Sequence, residues 1–495
     1  MLRSARKTSA GIEPYLDVLG AAVPTVPKMD ASLYSRRNLL AGLGAVPFAV
    51  AAVPHRKVTL LSDADLVLTM DPRLGEGVLG RLERADVLLR DGVVAAVGRD
   101  LPVPRDARVV DVRGQIVMPG IVDTHTHLWQ ASIRGGCADQ DLLGWLSNCN
   151  LVALPKISPA DMYRFVRLAT LDVLQTGVTT LVDWVYSIPY AQTEQYVHAL
   201  EESGLRFVYA MGGLPGREIS RIKKELIDPV PLGSAQVASG ADIRKLERLR
   251  ADLRLARQLG VMLNAHVLEH RSQQAEQPIT ALRQVGALNS DLLLNHAIHL
   301  TGRELEMVAG ADARVAHCPL SNMRLASGII KLPRMRELGM KVGLGHDGGT
   351  ADTSDAFSLM RAAVGLQRAS TMNPGVYPGV EDVLRMATIG GAEAIAMADR
   401  IGSLTPGKRA DLLVLDPGTL NFAPRFDVVS QIVFNAQPGN VSYVFVDGRM
   451  LKSRGRLVNV DVAAVVRAAE SAGTRLREAM GRPRGHAGGP KLLPR

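Results

Sequence analysis

Aromatic residues make up only 4% of the 495-residue chain, and there are just three cysteines. The core is therefore left to Ala, Val, Leu and Gly, which suit close-packed parallel strands and helices. Cys137, Cys149 and Cys318 include no CxxC pair, and an odd count leaves at least one free in a monomer. We expect no disulfide framework: all three should be small buried or pocket-lining residues without a redox role. Long hydrophobic runs are scarce too. The uncharged stretch ending at Val53 covers about fifteen residues, too short to span a bilayer comfortably, so no stable membrane anchor is expected. Excess charge is likewise missing from the body of the chain. The net charge is +9, but residues 1–54 carry six basic and three acidic groups, and residues 461–495 carry seven and three. The 406 residues between them keep only about +2, so the basicity gives no reason to expect a nucleic-acid partner.

With close to half its residues apolar, the chain can bury one large core and a smaller second one. Its organisation follows from changes in pattern. Residues 1–54 form a leader in which Ser35-Arg36-Arg37-Asn38-Leu39-Leu40 opens the uncharged stretch, and Ala49-Val50-Ala51-Ala52 closes it with small residues. This resembles a twin-arginine export signal, with the mature chain starting near Ala52 or Val53; a disordered extension on a cytoplasmic protein is the alternative. Residues 55–115 alternate apolar and polar residues in short strands, with Asp91-Gly92 as a hairpin signal. Residues 116–398 alternate short apolar strands with helical segments such as Pro159–Thr176 and Asp242–Leu259, the pattern of a parallel (β/α)8 barrel. The weakest of the eight strands is Ala235–Ala238. Strand texture returns over residues 399–460, which we expect to complete the first β segment as a small discontinuous β-sandwich. Residues 461–495 read as an Ala/Arg-rich helix followed by a basic, Gly- and Pro-rich tail.

The chemistry begins at Pro119-Gly120-Ile121-Val122-Asp123-Thr124-His125-Thr126-His127-Leu128-Trp129-Gln130. Residues i and i+2 of a strand point to the same side, so at the strand's end both imidazoles can converge on one metal ion. Reactive groups of a (β/α)8 barrel sit where strands end. Taken in order, the strand ends carry His125 and His127, Asp183, His266 with Glu269, His296, His317 and Asp347. Core packing does not predict polar residues at one end of strand after strand; an open metal site does.

The stretches PGIVDTHTHLWQ, NAHVLEH, LNHAIHL, AHCPLSN, GLGHDGG and IGSLTPGKRADLLVLD resemble the amidohydrolase superfamily. The similarity is to the branch with cytosine, guanine and adenosylhomocysteine deaminases and the triazine hydrolases. It implies one divalent metal, zinc or iron, held by His125, His127, His266 and Asp347, with a water in the open position. Asp347 would also accept a proton from that water. Glu269 would carry protons to a ring nitrogen and to the leaving amine, and His296 would donate to the tetrahedral state. Gln130 stands where relatives bind a heterocycle. His317 and Asn322 would line or support the pocket; Asp183, Trp184 and Trp129 are candidate walls, with packing as the alternative for Trp129. No lysine ends the fourth strand to bridge a second metal. His346 departs from the usual Thr or Ser before the strand-eight aspartate, and either reaches the pocket or points into the barrel wall. Asp352 sits in a loop that departs from the family pattern and bears on the charge of the substrate rim.

The expected activity is hydrolytic deamination of an amino-substituted nitrogen heterocycle such as a purine, pyrimidine or triazine. The alternatives are a hydrolase that removes chloride or alkylamine, or opens a cyclic amide, at the same site, and, from another class, a non-catalytic binding protein. The expected partner is a small heterocyclic substrate, and the resemblance leaves a homo-oligomer open.

Overall fold

A computed structural model describes residues 58–481, Asp352 excepted. The leader, the basic tail and Asp352 lie outside the described residues. The first short runs form β1 (Val58–Leu68), β2 (Arg81–Arg90), β3 (Val93–Gly98) and β4 (Arg108–Asp111). Between β2 and β3, Asp91 and Gly92 take φ of +50° and +80°. A two-residue hairpin turn matching the strand twist needs that hand of backbone, as the dipeptide signalled.

The apolar run from Gln115 to Val122 is not one strand. Its first part, β5 (Ile116–Pro119), belongs to the small sheet, while β6 (Ile121–Thr126) opens the barrel. The division between the two bodies of structure therefore falls at Gly120. A Cβ there would lie 2.1 Å from Thr179 Oγ1, so a glycine is needed for the chain to pass so close as it changes sheets.

Seven more parallel strands follow β6 in sequential order: β7 (Val178–Tyr186), β8 (Arg206–Gly212), β9 (Gly233–Gly240), β10 (Leu263–Val267), β11 (Leu292–His296), β12 (Arg314–His317) and β13 (Val342–Leu344). The weak Ala235–Ala238 run lies inside β9. The intervening helices start and stop for local reasons. Helix Pro159–Gln175 is capped by Ser158, whose hydroxyl accepts the Asp161 N–H, and buries Met162, Phe165, Val166, Ala169, Val173 and Leu174 at three- and four-residue spacing. Helix Leu246–Leu259 buries Leu249, Leu253 and Ala256 and stops at Gly260, whose φ is +64°. Inside the barrel, Val122, Val182, Val208, Ala238, Leu293 and Ala316 pack together, with Ile395, Met397 and Ile401 in the same cluster.

β13 and β6 are not joined by a ladder. An isolated parallel bridge, Thr126 with Asp347, spans that seam. In it the His127 N–H donates to the Asp347 carbonyl at 2.7 Å, and the Asp347 N–H donates to the His125 carbonyl at 2.8 Å.

After the barrel, β14 (Leu412–Leu415), β15 (Val441–Val446), β16 (Arg449–Ser453) and β17 (Arg456–Leu457) return to the small sheet. Its order is β17-β16-β15-β14-β5-β1-β2-β3, with β4 alongside β1, so N- and C-terminal segments build it together. Where barrel and sheet meet, buried Arg206 donates from Nε to Asp411 Oδ2 at 2.8 Å and from Nη2 to Asp447 Oδ1 at 3.1 Å. Helix Val462–Ala479 follows, its Asp461 cap accepting the Ala464 N–H at 2.9 Å. Among the described residues no helix is long and apolar enough to cross a membrane.

The cysteine expectation is corrected here. Cys137 and Cys149, twelve apart in sequence, form a disulfide; only Cys318 is free, and it is buried. Gly135, at φ +72°, lets the chain double back after the turn following His127, a fold that sequence spacing alone does not show. The bridged loop is tied to the strand-eight loop by Arg324, which donates to the Gly349 carbonyl at 2.8 Å and to the Gly136 carbonyl at 3.4 Å. Closing a loop of this length stabilises a fold by roughly 3 kcal/mol in the chain-entropy account. Cys149→Ser is therefore expected to lower the unfolding free energy by about 2–3 kcal/mol, read from urea midpoints. Reduced wild type should match the variant; equal midpoints for variant and oxidised wild type would show that the bond contributes nothing.

Candidate metal and catalytic site

The chemistry-bearing side chains gather at the C-terminal ends of the barrel strands. His125 is the fifth residue of β6, and His127 follows the strand's last residue. His266 lies in β10, His296 ends β11, His317 ends β12, and Asp347 follows β13. The ring centroids of His125 lie 4.8 Å from His127 and 4.7 Å from His266, and those of His266 and His296 are 5.2 Å apart. The Asp347 carboxylate reaches across the seam, with Oδ1 at 3.2 Å from His127 Nε2 and 3.6 Å from His125 Nε2.

Donor groupings with all atoms within 4.8 Å of one another are His125, His127 and Asp347; His125, His266 and His296; and Glu269, His296 and Asp347. His125 belongs to two of them. Both of its ring nitrogens are buried without a hydrogen-bond partner among the described residues. A buried polar atom left in that state is costly unless something else satisfies it, and a cation does so. His127 is fixed from behind: a carbonyl can only accept, so its Nδ1–H donates to the Trp184 carbonyl at 2.7 Å, while Nε2 stands 3.2 Å from Asp347 Oδ1; burial acts against charge on this ring, but the hydrogen bond to Asp347 and the charge of that carboxylate outweigh it and raise its pKa. Burial, and then the neighbouring imidazoles, hold His125 and His266 well below the usual histidine range, so their lone pairs stay free. Burial acts against the charge of Asp347, but the His127 hydrogen bond and surrounding rings outweigh it and keep its carboxyl well below the usual range. The free lone pairs of His125 and His266 beside an ionised carboxylate suit a divalent cation.

Glu269 lies three residues beyond His266, after Leu268 at φ +51°. Its backbone N–H donates to Gln273 Oε1 at 2.8 Å. Burial, and then the charge of Asp347, raise its carboxyl well above the usual range and so favour its protonated form. His296 Nε2 is 3.5 Å from Glu269 Oε2. An amide nitrogen can only donate, so Asn322 Nδ2, 3.0 Å from His296 Nδ1, leaves the neutral ring's proton on Nε2, facing the site. Burial lowers the His296 pKa to about 4, so the ring is neutral.

The other sequence candidates divide between wall and support. Trp184 meets His266 edge-on at 4.4 Å and stacks on Tyr186 at 5.2 Å, forming an aromatic wall beside the donors. His317 is buried, and burial and then His296 lower its pKa to about 3. Trp129 packs in the core with Leu128, Ile133 and Trp145, so of its two readings the structure takes packing. Asp183 stands outside the three donor groupings, and its Oδ1 accepts the Leu128 N–H at 3.0 Å. The Gln130 carboxamide oxygen accepts the Gly349 N–H at 2.9 Å, so that atom supports the strand-eight loop. His299 is only partly buried and stands outside the three donor groupings, in line with a structural role. His346 points into the barrel wall, at Asp123.

Several contributors escaped the sequence reading. Thr350 donates its hydroxyl to Asp347 Oδ2 at 3.3 Å, and the Tyr196 hydroxyl accepts the Trp129 N–H at 3.2 Å. Gln273 stood four residues after Glu269, a visible helical-turn spacing; Tyr196 comes from a distant helix and left no local signal.

The Amidohydrolase family model matches residues 116–451. The chain is 30% identical to a 5-methylthioadenosine/S-adenosylhomocysteine deaminase of Pelotomaculum thermopropionicum over 426 residues, covering 80% of this chain and 96% of that protein. It is 30% identical to a 5'-deoxyadenosine deaminase of Methanosarcina mazei over 430 residues, covering 83% and 96%. A zinc-bound adenosine deaminase from Xanthomonas campestris superposes with a TM-score of 0.75 at 26% identity, covering 85% of this chain and 98% of that one.

Proposed function

The chain belongs to the amidohydrolase family, and from that premise we propose that it deaminates an adenosine-type nucleoside by hydrolysis, with zinc as its metal. It is a hydrolase acting on carbon–nitrogen bonds, and its substrate is a small nitrogen heterocycle. The purine nucleoside is supported by the substrates in the names of the two deaminases at 30% identity, and zinc by the metal of the Xanthomonas protein. The observation that carries the reading is a buried Glu269 whose Oε2 lies 3.5 Å from His296 Nε2, beside the donor groupings His125–His127–Asp347 and His125–His266–His296.

His125, His127, His266 and Asp347 would hold the cation, which when bound supplies a water acidified toward neutrality. Asp347 would accept a proton from the water that attacks the carbon bearing the amine. Glu269 would give its proton to the adjacent ring nitrogen, receive the one Asp347 took and pass it to the departing amine, which leaves as ammonia while the hydroxyl on the attacked carbon becomes a carbonyl and returns its proton to Glu269. The His296 Nε2–H donates to the oxygen developing on the attacked carbon. The Trp184 ring covers one side and limits water there.

Ammonia release across purine nucleosides, free purines, pyrimidines, pterins and triazines tests this. We expect the adenosine-type nucleosides to lead. Chloride or alkylamine release without ammonia would overturn deamination, and a protein that turns over none of these yet binds them would favour a binding role.

Export through the leader is part of the proposal. The Cys137–Cys149 bond supports it, because such bonds persist mainly in oxidising compartments. N-terminal sequencing of active protein should begin near Ala52 or Val53 outside the cytoplasm; an intact leader on active cytoplasmic enzyme would end the idea.

A further inference from the structure

We propose that His346 is a positioning residue: with Asp123 it clamps β13 to β6 and so sets the distance from His125 and His127 to Asp347. His346 Nδ1–H donates to Asp123 Oδ2 at 2.8 Å, and the His346 backbone N–H donates to Asp123 Oδ1 at 3.1 Å. The same Oδ1 accepts the His125 N–H at 3.3 Å. One carboxylate thus gathers the backbone N–H of a ligand on strand one and two donors of the residue before a ligand on strand eight. Asp123 and His346 are 0% and 4% exposed, so water does not compete for these bonds.

The seam needs such a clamp. The other neighbouring barrel strands share ladders, whereas β13 and β6 share one isolated bridge. The Thr124 hydroxyl adds a bond to the Leu344 carbonyl at 2.9 Å. The strands approach so closely that a Cβ on Gly345 would sit 2.8 Å from the His125 carbonyl oxygen, so no side chain fits between them there. Asp347 itself has φ +70°, a conformation that non-glycine residues hold only when their surroundings dictate it. Anchoring the preceding residue by both backbone and side chain dictates it. Metal ligands contributed from both sides of this seam inherit whatever slack it has.

The inference rests on the metal site but not on any choice of substrate, and it is tested by metal retention. Wild type, His346→Leu and His346→Asn are loaded with cobalt(II), and their visible spectra and rates of metal loss to dipicolinate are compared. Loss of a group that orients a ligand weakens metal binding by about 10–100-fold. His346→Leu should therefore release cobalt at least about 10-fold faster, with an altered spectrum. His346→Asn places an amide nitrogen where Nδ1 stood and should restore both readouts. The clamp is overturned if the leucine variant matches wild type in both, or if asparagine is as leaky as leucine. Should the leucine variant not fold, His346→Gln replaces it; its amide reaches one carbon too far, and release as slow as from the asparagine variant overturns the clamp. Wild-type protein taking up no cobalt would end this inference and the metal-dependent reading together, whereas normal wild-type uptake with an indifferent leucine variant ends this one alone.

Discussion

Glu269→Gln is expected to lower kcat by about 10²–10⁴-fold while metal content stays at the wild-type level. Glutamine keeps the size and the Gln273 contact to the backbone N–H, which involves no side-chain atom of residue 269. What it loses is the proton. The carboxyl is buried, its Oε1 has no hydrogen-bond partner among the described residues, and its Oε2 faces the His296 ring nitrogen at 3.5 Å. An acid held there has one evident use, transfer to a bound substrate, and an amide cannot perform it. Paired measurements of ammonia release and metal stoichiometry check this. Near-normal turnover in the glutamine variant would remove Glu269 from the mechanism; loss of metal together with activity would make it a ligand instead.

Asp411→Ala is expected to destabilise the fold by about 3–5 kcal/mol, because it strands a buried cation. Arg206 is 2% exposed, and it donates to both Asp411 oxygens, at 2.8 and 3.2 Å. Asp411 Oδ1 also accepts the Asp447 N–H at 2.7 Å, so its removal leaves two donors unsatisfied. Asp447 stays as a partial partner for the arginine, which puts the expected cost toward the lower end. Adding Arg206→Met should recover part of the loss, since the uncompensated charge leaves with it. Urea midpoints of the single and double variants decide the matter. A loss below about 1 kcal/mol, the range of an exposed pair, would mean that water reaches this joint.

The catalytic end of the barrel was legible because ligands had to recur at strand ends, and strand ends can be read from apolar runs. His125, His127, His266, His296 and Asp347 are brought together, as that periodicity required. The run from Gln115 to Val122 is less legible for a related reason. Two short strands in different sheets, separated only by Gly120, carry the same apolar signature as one longer strand. His346 and Gln130 could be singled out but not oriented. The partner of one lies 223 residues away in sequence and that of the other 219, across a seam whose register no local pattern encodes. The cysteine pair failed because bonding depends on how the segment after His127 doubles back, which loop composition leaves undetermined.

The Cys137–Cys149 tie has a practical reach. Arg324 couples the loop that it closes to Gly349, two residues past Asp347. Material made in a glutathione-rich host would carry free thiols there, and the guanidinium would then join the catalytic segment to a loop without its cross-link. Preparations of identical sequence would then differ in behaviour according to the oxidation history of the flask they came from.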